Sequence, residues 1–189
     1  MNYEEFVKNV IDQFNNSGFD YALTGAVAVS YYTNPATTNE VDVIVRVRQS
    51  MLGRLAVTLR NIGFECDQMY LEKTWNSKFR VATFLSNEGF RLELVLTPRN
   101  IARRMAVIYG IETFVQEPSS LLIRDLELIN NEKDAELKKK HMTQALSILK
   151  NAEVDVSEAR DEARKKNVAD IFDSLLTQVE NEDENEDKR

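Results

Sequence analysis

One segment constrains this chain more than any other: Glu40-Val41-Asp42-Val43-Ile44-Val45. β-Branched residues dominate it and suit a pleated surface, so Val41 to Val47 reads as a strand. Side chains alternate along a strand. Glu40 and Asp42 therefore leave the same face, with Cα atoms roughly 7 Å apart. Two like charges so placed repel each other unless a cation lies between them. Hard oxygen ligands of this kind suit Mg²⁺ or Mn²⁺. Taken alone, the pair reads more readily as polar residues at a strand entry than as a metal site.

The elements around this strand follow from periodicity and breakers. Tyr3 to Asn16 carries Phe6, Val7, Val10, Ile11 and Phe14 at helical spacing, with Ser17-Gly18 as the stop. Tyr21 to Leu23 is a short strand, and Thr24-Gly25 turns the chain into an apolar helix, Ala26 to Tyr32, broken by Asn34-Pro35. Ser50 is expected to cap an amphipathic helix running to Ile62, with Gly63 beyond it. Phe79 to Leu85 and Phe90 to Leu96 flank Ser86-Asn87-Glu88-Gly89, a hairpin signal. Pro98 opens a helix-like stretch holding Arg99, Arg103 and Arg104, and Glu112 to Val115 is expected as a final edge strand. From Ser119 the pattern is helical: Leu121 to Ile129, Ala135 to Leu149 and Ser157 to Val179. A mixed α/β layer followed by a helical annex results. The expected divisions are a core over 1–116, an annex over 117–179 and a disordered acidic tail over 180–189.

Charge neither favours nor excludes a nucleic-acid partner. The chain carries a net −7, and residues 180–189 hold six acids and two bases, so −7 − (−4) leaves −3 for the rest. The single Cys66 forms no internal disulfide and reads as a packed side chain. No apolar run approaches the ~20 residues that span a bilayer, and Glu4 and Glu5 stand where a signal peptide carries positive charge. A cytoplasmic protein is the expectation. Lys138-Lys139-Lys140-His141 reads as the solvated side of a helix, His141 lacks a second ligand nearby in sequence, and Trp75 is a recognition aromatic or a loop anchor.

A third carboxylate joins the pair. Phe90, Leu92, Leu94 and Leu96 form a core face, while Arg91, Glu93 and Val95 share the other. Glu93 interrupts an apolar strand and needs a partner. It reaches Glu40 and Asp42 if the two strands are neighbours, or it pairs with Arg46, Arg80 or Arg91 across strands. The Leu23-Thr24-Gly25-Ala26 turn adds a helix N-terminus, whose unpaired N–H groups suit phosphate. The glycines and lysine of a Walker loop are absent.

The run from Tyr21 through Gly25 to Tyr32, then Pro35 to Thr38, Glu40 and Asp42, then Glu93, resembles the DNA-polymerase-β-like nucleotidyltransferase superfamily. It is most similar to the minimal branch holding antitoxin-type and abortive-infection-type proteins. The likeness covers about residues 18–150, including Glu117-Pro-Ser-Ser and the helix through Leu149. It implies an α+β fold, a mixed β-sheet with flanking helices and a C-terminal helical segment. It also implies metal-dependent transfer of a nucleoside monophosphate from a triphosphate to a protein or RNA acceptor. Glu40, Asp42 and Glu93 would be the catalytic and metal-holding residues, with Mg²⁺ or Mn²⁺ as cofactor. Glu93 would also accept the proton of the attacking hydroxyl. Thr24, Gly25, Ala26 and Thr38 would contact the nucleotide.

Two other classes stand beside this one. Ala26 and Ala36 replace side chains that relatives use at these turns, which fits a non-catalytic binding module such as the neutralising half of a two-protein toxin system. The apolar stripes of the C-terminal helices also fit a homo-oligomer face.

Overall fold

The computed structural model describes residues 1–34 and 38–186, with side chains described to residue 182. The chain forms two units, Met1–Ala28 with Ala36–Gln116, and Val29–Pro35 with Glu117–Arg189. No described helix is long and apolar enough to cross a membrane.

The first unit is a six-stranded mixed sheet with α-helices. Helix α1 (Tyr3–Ser17) starts in a capping box between Asn2 and Glu5 and ends at Gly18, whose φ of 69° suits glycine. Strand β1 (Asp20–Thr24) leads into helix α2 (Gly25–Tyr32), and β2 (Glu40–Arg46) follows. A 3₁₀ turn at Gln49–Met51 precedes α3 (Leu52–Ile62), then come α4 (Gln68–Trp75), β3 (Val81–Leu85) and β4 (Arg91–Thr97). Strands β5 (Arg103–Ile108) and β6 (Ile111–Gln116) complete the sheet, whose order is β3-β4-β2-β1-β6-β5. β2 runs parallel to β4 and β1 parallel to β6; the other pairs are antiparallel.

Alternation decides which face is core. Val41, Val43 and Val45 of β2 and Leu92, Leu94 and Leu96 of β4 are buried. So are Phe6, Val7, Val10, Ile11 and Phe14 of α1 and Leu52, Leu55 and Leu59 of α3. Burying each such side chain stabilises the fold by about 1.5–3 kcal/mol before entropy is counted. Cys66 packs inside as well, and burial pushes its thiol up to about 11.

Several expectations need correction. Ser50 lies inside the 3₁₀ turn, and α3 begins after Met51 without a side-chain cap. Asp67 caps α4, an unanticipated helix that Trp75 ends, and the Arg80 guanidinium lies 4.4 Å from the Trp75 ring centre. The stretch after Pro98 is not helical: Arg103 and Arg104 open β5, which is the true edge, while β6 sits between β1 and β5. A two-residue turn at Tyr109-Gly110 joins them, with φ of 50° and 81°, the backbone a tight hairpin needs.

The second unit contains α5 (Pro118–Asn131), α6 (Ala135–Asn151), α7 (Val156–Lys165) and α8 (Ala169–Glu186). The single helix expected over Ser157–Val179 is broken, because Asn167 adopts φ 58°, a left-handed conformation that ends a helix. Residues 180–186 of the expected disordered tail continue α8, where Glu182 pairs with Lys150 and accepts from Gln178 at 3.0 Å.

Asp125 of α5 is a buried acid that sequence reading missed. It lies 3.1 Å from His141 Nδ1, which gives the lone histidine a structural role. Burial raises the Asp125 pKa above 3.8, against the lowering hydrogen bond and charge of His141. A raised folded-state pKa contributes stability that is full below the unfolded value and lost as pH rises through the folded one. Asp125→Asn keeps an acceptor for His141 and removes the buried charge. Its stability near neutral pH should match or exceed the parent's, and the parent should gain on it as pH falls. Denaturant unfolding across that range checks this; a variant less stable at neutral pH would show that the charged bond outweighs its desolvation.

Candidate active site

The sheet register brings the predicted carboxylates onto one face. Asp42 sits opposite Thr24 of β1 on one side and Glu93 of β4 on the other, and Glu40 sits opposite Arg91. Thr83 of β3 extends the row beyond Glu93. Thr83, Glu93, Asp42 and Thr24 therefore form a polar line across four strands, above the apolar Val81, Val95, Ile44 and Ala22. Asp42 is only 6% exposed.

Gly25 explains how Asp42 fits. Its φ is 57°, and a Cβ built on it would overlap Asp42 Oδ2 and lie 2.6 Å from Cγ. The carboxylate thus packs on the bare α-carbon of the residue that opens α2. Only glycine tolerates both the backbone angle and the contact.

The other anticipated contacts are more structural than expected. Thr24 is buried, and its hydroxyl donates to Gln116 Oε1 at 2.7 Å. Thr38 accepts from the Glu40 N–H at 3.0 Å, so it positions the start of β2. Ala26 is buried. Ala36 lies outside the described residues. Tyr3, which sequence reading did not single out, donates its hydroxyl to the Glu40 carbonyl at 2.8 Å. Burial, then Tyr109 and the Asp42 charge, hold that hydroxyl well above its ordinary pKa.

Arg91 changes the electrostatics of the three carboxylates. Its Nη2 pairs with Glu40 Oε1 and lies 3.6 Å from Glu93 Oε1. Arg91 therefore supplies a cation to two of the three carboxylates, Glu40 and Glu93. No group of three His, Cys, Asp or Glu among the described residues is gathered to hold a metal ion. The carboxylates have the chemistry of a magnesium site, yet with Glu40 and Glu93 turned to Arg91 they do not fit one in this arrangement. Arg91 Nε is buried without a hydrogen-bond partner among the described residues, which costs about 1–3 kcal/mol. The guanidinium is held from one side only.

Repulsion alone predicts that neutralising Glu93 raises stability, and Arg91 reverses that sign. Glu40→Gln and Glu93→Gln should each lower unfolding free energy by up to about 1 kcal/mol, a modest loss because the pair is partly exposed. Chemical denaturation checks this, and a gain in either variant would show that repulsion still dominates.

No family model and no curated protein matches the chain. Solved structures do. The chain resembles an antigenic nucleotidyltransferase-like protein from Paracoccidioides brasiliensis, with TM-score 0.52 and 14% identity over 93% of this chain and 92% of that one. Antibiotic-resistance factor ANT(2'')-Ia, solved with adenylyl-2''-tobramycin, gives TM-score 0.56 and 9% identity over 93% and 97%. The lincosamide antibiotic adenylyltransferase LnuA, solved with lincomycin, gives 0.52 and 14% over 77% and 97%. At such identities the likeness is one of architecture. With a mixed six-stranded sheet and eight α-helices among the described residues, this chain has the nucleotidyltransferase fold.

Proposed function

We propose that the chain transfers a nucleoside monophosphate from a nucleoside triphosphate to a hydroxyl of a macromolecular acceptor, protein or RNA. The observation that carries this reading is the Asp42 carboxylate packed on Gly25, with Glu93 in register beside it. A helix N-terminus that can cradle phosphate thus stands against carboxylates that can handle a proton. In the reaction the acceptor oxygen bonds to the α-phosphorus, the bond from that phosphorus to the bridging oxygen breaks, and pyrophosphate leaves. Glu93, a quarter exposed, is the proton acceptor for the attacking hydroxyl. Asp42 stays buried and fixes the Gly25 turn. A polyphosphate competes with Glu40 and Glu93 for Arg91, whose planar fork suits phosphate oxygens.

A second reading, a binding module without turnover, draws on the same arginine. With Arg91 holding Glu40 and Glu93, part of the carboxylate charge is already offset without any ligand.

Thermal melting with each of the four nucleoside triphosphates tests the site, in arms with Mg²⁺, with Mn²⁺ and with chelator. At a hundredfold excess over the dissociation constant, binding adds about 2.7 kcal/mol. For this length that shifts the midpoint by roughly 5–10 °C. The chelator arm reads directly whether a divalent ion must accompany the nucleotide. Unchanged curves in every arm would sink the nucleotide site.

A further inference from the structure

Arginine is distributed unevenly in this chain. Residues 43–64 hold Arg46, Arg48, Arg54 and Arg60 and no acid; residues 94–111 hold Arg99, Arg103 and Arg104, again with no acid, although the chain's net charge is −7. The sheet gathers these segments at the end of β1 and β2 remote from Gly25. Arg46 sits opposite Asp20 of β1 and Thr97 of β4. Arg48 and Arg99, both exposed, follow two residues beyond Arg46 and Thr97. Arg54 also belongs here, its guanidinium 4.4 Å from the ring centre of Phe19, next to Asp20.

At the centre is a depression of about 290 Å³ lined by Asp20, Arg46, Asn100, Ile101 and Arg103. Asp20 is the only acid among the described residues that line it, and it takes both guanidinia, Arg46 at 3.2 Å and Arg103 at 3.1 Å. Arg103 is fixed further by donating to the Tyr21 carbonyl at 2.6 Å and by lying 4.0 Å from the Phe114 ring centre. One carboxylate cannot neutralise two guanidinia, and each carries five donors in a rigid plane. The depression is therefore cationic and preorganised, and Arg48 and Arg99 extend the charge outward.

We infer that this end of the sheet is a docking surface for the phosphate backbone of single-stranded RNA. The inference rests on the proposed transfer reading for its orientation, because RNA brings its own acceptor hydroxyl. Arg46 and Asp42 lie four residues apart on the same face of β2, so roughly 13 Å separates the cationic surface from the carboxylates. A strand held at the arginines reaches the site within a few nucleotides. Arginine without lysine favours phosphate oxygens over bulk negative charge, because the guanidinium fork bonds two oxygens at once.

The test is fluorescence anisotropy of a short labelled single-stranded RNA with the full chain, from about 50 to 200 mM salt. The parent should bind with affinity that falls steeply with salt. Arg48→Gln combined with Arg99→Gln should weaken binding about tenfold at low salt and flatten the logarithmic salt slope by roughly 1.4, two lost contacts at ~0.7 each. Lys138→Gln with Lys139→Gln, the same charge change in the second unit, should leave both values in place. Absence of RNA binding by the parent, an equal loss in the lysine control, or retention on anionic lipid vesicles instead of RNA would overturn the inference. Nucleotide-induced melting is read separately, so a parent that binds RNA but no triphosphate removes the transfer reading and leaves this surface standing.

Discussion

Gly25→Ala is expected to lower folding stability by about 2–5 kcal/mol and to abolish nucleotide-induced stabilisation. The estimate joins two independent costs. An alanine at φ 57° suffers the left-handed penalty of roughly 1–2 kcal/mol. Its Cβ would also overlap the Asp42 carboxylate, with Cγ at 2.6 Å, and forcing atoms into a packed site costs typically 1–3 kcal/mol. Asp42 is buried, so it cannot swing into solvent cheaply. Chemical denaturation of Gly25→Ala, Asp42→Ala and the double variant separates the terms. The double variant removes the overlapping atoms and keeps the backbone penalty, so it should be more stable than the sum of the single losses. Additive losses would show that Gly25 matters for its backbone angle alone.

Much of the first unit was legible because its signals are local. The β-branched run of β2, the stripe of α1, and the hairpin ending at Gly89 each carry their own periodicity and breaker. β5 was not legible. Pro98 looks like a helix opener and arginine favours helices, while the turn that makes β5 a strand uses Tyr109, an unusual residue at positive φ. The break between α7 and α8 rests likewise on Asn167 in a left-handed conformation. In a run of charged residues that also suits a continuous helix, this signal is weak.

The site divides along the same line. Glu40 and Asp42 share a face by strand geometry alone, and Glu93 was marked by its polarity in an apolar strand. What decided the chemistry was register. Sequence offered Glu93 three arginine partners; the one it takes is Arg91, two residues away on the same face of β4, and the parallel pairing of β2 with β4 sets that arginine against Glu40 as well. The bond from Thr24 to Gln116 spans 92 residues and depends on β6 lying beside β1. No local pattern encodes it, so Thr24 looked like a phosphate contact when its hydroxyl is committed to the scaffold.

The largest expected effect is on transfer itself, and it bears most directly on the claim that Asp42 and Glu93 face a nucleotide at the Gly25 turn. The parent is incubated with α-labelled nucleoside triphosphate and total RNA or cell lysate, with Mg²⁺ or Mn²⁺ in one arm and chelator in the other. Asp42→Asn conserves shape and removes the charge that packs on Gly25; Glu93→Gln removes the proton acceptor. General-base removal alone costs about 10²–10⁴ in rate, so each variant should lose label by at least a hundredfold. Circular dichroism and melting confirm that both variants remain folded. A covalently labelled acceptor is expected with the parent, and near-complete loss in both variants. A parent that labels nothing in either arm, or folded variants that label as well as the parent, would contradict it.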